Sequence, residues 1–86
     1  MKRTLTCGFE VELDPNVLDD WDLMEMISKL GDGQFQQYPK IAVRYLGAEQ
    51  YEALKNHLRD AEGKLQASAM FEAINEIMEV QPESKN

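Results

Sequence analysis

His57 and Cys7 have the side-chain chemistry for a general base and a nucleophile, and each residue type occurs once in the 86-residue chain. Proton transfer needs an imidazole held by an orienting partner, and thiol attack needs a thiolate stabilised by a nearby cation or histidine. His57 lies beside Leu58 in a charged helical stretch and reads as a surface or rim residue. Asp60, three positions on, could contact it. Cys7 sits in an N-terminal arm with no histidine near it in the chain, and reads as an inert thiol. Asp19, Asp20, Asp22 and Glu25 form the densest acidic run. A calcium loop needs glycine and regular ligand spacing, and this run has neither. These acids read as first-turn carboxylates favoured by the positive end of a helix, or as a contact for a basic partner. Gly31, Gly33 and Gly47 do not have the order or spacing of a phosphate loop. The residues therefore predict no catalytic group, no metal site and no cofactor; the expectation is a non-enzyme.

The elements that would position these residues come from a small chain. One domain, 1–86, is expected, and a chain of this length buries only about 60–65% of its unfolded surface. Small proteins compensate with disulfides, metals or association. A single cysteine excludes an intrachain disulfide and points to a reducing compartment. Association with a copy or a partner is then the favoured way to complete the core. The formal charge is −7, from 16 acids and 9 bases. That balance disfavours nucleic acid and anionic membranes as partners. No stretch is long and apolar enough to span a membrane, and the start is too polar for a signal sequence. A cytoplasmic protein is expected.

Hydrophobic periodicity predicts a mainly α fold: a small bundle of about four helices with an N-terminal extended arm or short strand. Phe9, Val11 and Leu13 alternate with Glu10 and Glu12, the period of an extended arm over 1–13. No second alternating run follows, so the arm should pair with a copy of itself or lie along the helices. Asp14-Pro15 is a helix start, with Leu13 and Leu18 placed as a hydrophobic staple. The first helix is expected over 15–30, with Val17, Trp21, Met24 and Ile27 as its stripe, Leu23, Met26 and Leu30 widening it, and Gly31 as its C-cap. A loop over 32–37 contains Phe35. A short helix over 39–46, with Ile41, Ala42, Tyr45 and Leu46 as its inner face, stops at Gly47, and a third runs over 48–61, with Leu46, Tyr51, Leu54 and Leu58 close to one face. The fourth opens between Leu65 and Ala69, turns Leu65, Met70, Phe71, Ile74, Ile77 and Met78 inward, and ends at Gln81-Pro82. The tail 81–86 should fray.

Two further features admit either a core or a binding role. Met24, Met26, Met70 and Met78 fit an irregular core, and methionines also line adaptable grooves. Trp21 reads as a core residue or as an interface anchor.

Four pieces together resemble the small tail assembly chaperones of long-tailed bacteriophages and prophages. They are Phe9-Glu10-Val11-Glu12-Leu13-Asp14, the run from Leu18 to Glu25, the run from Tyr45 to Lys55, and Gly63-Lys64-Leu65 leading into the acidic last helix. They span roughly residues 9–79, and none is a catalytic motif. The resemblance implies a mostly helical, self-associating, non-enzymatic protein. It implies binding to the tape measure protein, and to tail tube subunits, in the bacterial cytoplasm during tail assembly. Such a protein would cover the apolar faces of a long helical client by helix-in-groove contacts, with its negative charge keeping the complex soluble. Many copies on one client would gain from avidity. The expected contact set is Trp21, Met24, Phe35, Tyr45 and Tyr51.

Two other readings compete. The acidic run and net charge suit an inhibitor or antitoxin-like protein that masks a basic site, with steeply salt-dependent binding. A small regulatory subunit of a larger complex is the other.

Overall fold

A computed structural model describes residues 1–79. Over these described residues the fold is mainly helical, with three helices and one two-stranded antiparallel sheet. The elements are β1 (Lys2–Thr4), β2 (Glu10–Glu12), α1 (Trp21–Gly31), α2 (Gln37–Leu58) and α3 (Ala67–Glu79). α2 is the centre of the arrangement and packs against α1, α3 and β2.

The N-terminal arm is a hairpin. β1 pairs with β2 in the register Lys2↔Glu12, Arg3↔Val11 and Thr4↔Glu10. The turn closes where Gly8 N–H donates to the Leu5 carbonyl at 2.8 Å, with Gly8 at φ 94°. The expected alternation holds, since Val11 and Leu13 are buried while Glu10 and Glu12 are exposed. The missing partner strand precedes the alternating run instead of coming from another copy. It carried no signal because Lys2, Arg3 and Thr4 are all exposed and show no alternation.

α1 begins six residues later than expected. The Asp14 carboxylate accepts from Asn16 N–H at 2.9 Å, and successive turns follow it, closed by Val17 N–H to the Asp14 carbonyl and Asp19 N–H to the Asn16 carbonyl. Asp20 is the actual N-cap, extended at φ −131°, its side chain accepting from Leu23 N–H at 3.2 Å. Gly31 remains helical, and the left-handed residue past the end is Gly33 at φ 88°. The buried stripe is Leu23 with Met26, Ile27 and Leu30 half-buried, so Leu23 rather than Trp21 faces the core.

The two middle helices expected from the sequence meet at a kink at Gly47 and form the single element α2, so three helices are counted among the described residues where four were expected. Helical hydrogen bonding resumes on both sides of Gly47 with no loop between. Gly47 itself has φ 81° and ψ 162°, a region essentially restricted to glycine, and it kinks the helix. Pro39 and Tyr51 line the same two grooves. A straight helix would hold residues twelve apart at about 18 Å, so the kink folds the second half back towards the first. Ile41, Ala42, Tyr45 and Leu46 from the first half and Leu54 from the second are buried.

The chain leaves α2 at Leu58 rather than at residue 61. The Asp60 carboxylate accepts from Glu62 N–H and Lys64 N–H, both at 2.9 Å, and organises the turn into α3. α3 buries Met70, Ala73, Ile74 and Ile77. Phe71, expected inward, is exposed. The expected helix end at Gln81-Pro82 and the tail 81–86 lie outside the described residues. Among the described residues, no helix is long and apolar enough to cross a membrane.

Candidate functional site

Burial decides what each candidate residue can do. Phe35 is 64% exposed and Trp21 75%, while Tyr45 is 5% exposed. Tyr45 is therefore a core residue and leaves the expected contact set. Its phenol is pushed above its ordinary pKa by burial. The expected inner face of Ile41, Ala42, Tyr45 and Leu46 is buried throughout.

Phe35 and Tyr51 come together at one groove of about 310 Å³ between α2 and α3. Phe35 precedes α2, and its ring stacks on Tyr38 with centroids 6.4 Å apart. Tyr38 meets Phe71 of α3 at 4.7 Å in a tilted arrangement, a geometry favoured by the ring quadrupoles. The Tyr38 hydroxyl donates to Asn75 Oδ1 at 3.0 Å, which fixes the ring between the two helices. Met70, Leu65 and Ile74 complete the apolar wall. On the far side, Lys55 Nζ sits 4.8 Å from the Tyr51 ring centroid and 3.0 Å from Glu52 Oε2.

Trp21 and Met24 come together elsewhere. With Glu25, Ser28 and Lys29 they line one surface of α1, on which Trp21 is exposed and Met24 is half-buried against the core. Tyr38 and Phe71 are the groove residues that sequence reasoning missed. Phe71 sits one position past the buried Met70, and only the packing of α3 on α2 reveals that it faces out.

The acidic run is partly neutralised within the chain. Arg44 Nε lies 3.2 Å from Asp20 Oδ2, and its Nη2 lies 2.9 Å from Asp22 Oδ2. His57 does not meet Asp60. Its Nε2 is 3.0 Å from the Cys7 carbonyl oxygen, and its ring is 5.4 Å from that of Phe9. The two residues considered for catalysis are thus neighbours in space, but through the Cys7 backbone; both side chains are exposed. Among the described residues, no group of three or more His, Cys, Asp or Glu side chains could hold a metal ion.

Two surface carboxylates tie the hairpin down. The Met1 ammonium, 2.7 Å from Glu12 Oε2, holds that carboxyl below its ordinary pKa. Thr6 N–H donates to Glu76 Oε1 at 2.9 Å and does the same for Glu76. Comparison with family models, curated proteins and solved structures found no match to this chain.

Proposed function

We propose that the chain is a non-enzymatic assembly chaperone for long-tailed bacteriophage tails. It self-associates and covers apolar helical segments of the tape measure protein, and of tail tube subunits, in the cytoplasm of the bacterial host. The observation that carries this reading is the open aromatic groove of Phe35, Tyr38 and Phe71. No described residue covers that groove, and a groove of aromatic and aliphatic walls suits the apolar face of a helix. Exposed Trp21, with the half-buried Met24 beside it, supplies a second surface for contacts between copies. The inhibitor reading draws less support, because Arg44 already occupies two of the four clustered carboxylates.

The test is co-expression with the tape measure protein of a long-tailed phage or prophage from the same genome. The client should be soluble with the native chain and largely insoluble without it. Phe35→Ser with Phe71→Ser should remove the effect while leaving the helical circular dichroism intact. Equal client solubility with and without the chain overturns the reading.

A further inference from the structure

We propose that the groove is specific for a partner helix whose apolar stripe is flanked by carboxylates; this rests on the chaperone reading and names the chemistry of the client segment. The Phe35–Phe71 groove continues into a second apolar groove of about 380 Å³, formed with Met26 and Val43, because Pro39 and Tyr51 line both. The charged residues that line this joint surface are Lys55, Lys40 and Arg44, and no carboxylate lines it. The chain as a whole has 16 acids against 9 bases, so a surface whose charged lining residues are all basic is a local departure from the overall balance. The three bases are not equivalent. Arg44 is held by Asp20 and Asp22, and Lys55 is shared with the exposed Glu52. Lys40 makes no ion pair among the described residues and stands at the rim of the second groove. A docked helix would lay its apolar stripe over Tyr51 and Pro39 and bring its flanking side chains to Lys40 on one part of the rim and Lys55 on the other. Carboxylates there meet positive charge, and ammonium groups meet like charge as the apolar contact excludes water.

The rim and the net charge predict opposite preferences. A charge of −7 steers basic peptides towards the chain. The experiment titrates the full chain into two fluorescent amphipathic helical peptides with the same leucine stripe, one flanked by glutamates and one by lysines, and reads anisotropy. The glutamate-flanked peptide should bind about tenfold tighter at low salt, with the preference shrinking as salt rises. Lys40→Glu with Lys55→Glu should abolish or invert that preference, and Phe35→Ser with Phe71→Ser should weaken both peptides. Equal binding, or preference for the lysine-flanked peptide, overturns the proposal. So does absence of peptide binding together with Phe71-dependent self-association, which would make a second copy the occupant. A retained glutamate preference with no effect on client solubility would uphold the groove's specificity and reject the chaperone role alone.

Discussion

The side chain of Gln50 bonds to the backbone of Glu12 as a neighbouring strand would. Its Oε1 accepts from Glu12 N–H at 2.7 Å, and its Nε2 donates to the Glu12 carbonyl at 2.8 Å. The same Nε2 donates to the Leu46 carbonyl at 2.8 Å, just before the α2 kink. One amide thus ties the free edge of β2 to the bend in α2. Gln50→Leu keeps the bulk and removes all three bonds. It should cost about 1–2 kcal/mol in urea denaturation and speed hydrogen exchange at the Glu12 amide. Unchanged exchange there would show that the bonds are not formed in solution.

The kink itself is testable at Gly47. A Cβ there would meet no atom within 4 Å, so any cost of Gly47→Ala comes from backbone conformation alone. At φ 81° and ψ 162° that cost should be about 1–3 kcal/mol. Thermal unfolding followed by circular dichroism measures it. A stabilised variant would mean that α2 is straight in solution.

Tyr45 and Trp21 should respond in opposite ways. Tyr45→Ala opens a cavity in the core and should destabilise by about 3 kcal/mol. Trp21→Ala removes a larger side chain that is mostly in solvent, and should cost less than about 1 kcal/mol. Paired urea titrations read both. A reversed order would place the tryptophan, and not the tyrosine, in the core.

Acid should loosen the hairpin first. Glu12 and Glu76 both hold their protons less readily in the folded chain than at the ordinary carboxyl value of 4.5. Each therefore adds stability above the ordinary carboxylate range, and that stability is lost as pH falls through the lowered folded value. Glu76→Gln should be less stable than the native chain at pH 7, with the difference vanishing in acid. The Thr6 amide resonance should follow the titration of Glu76 in the native chain and stay flat in the variant.

Much of this architecture was legible where one conformation admits few residue types. Gly47 marked a break because a positive φ there excludes other residues, and the Val11–Leu13 alternation marked a strand because one face is buried. The start of α1 was ambiguous because Asp14 and Asp20 are both competent caps, and the Asp14 carboxylate is used instead on Asn16 N–H. The site was legible only in part. Phe35 and Tyr51 do reach the groove, but periodicity gives the phase of a helix and not the depth of each face. That is why Phe71 was placed inside although it is exposed, and why Tyr45, placed on the inner face of its helix, was also given to the contact set although it is buried.

The 38-residue separation of Glu12 from Gln50 sets an order of events during synthesis. A lone two-stranded hairpin is barely stable in water. At about 5–20 residues per second, the ribosome releases the first thirteen residues roughly 2–8 s before the amide that secures them. The amino terminus of this chain is made first and secured late, so in those seconds the nascent Leu5, Val11 and Leu13 are open to capture by whatever apolar surface they encounter.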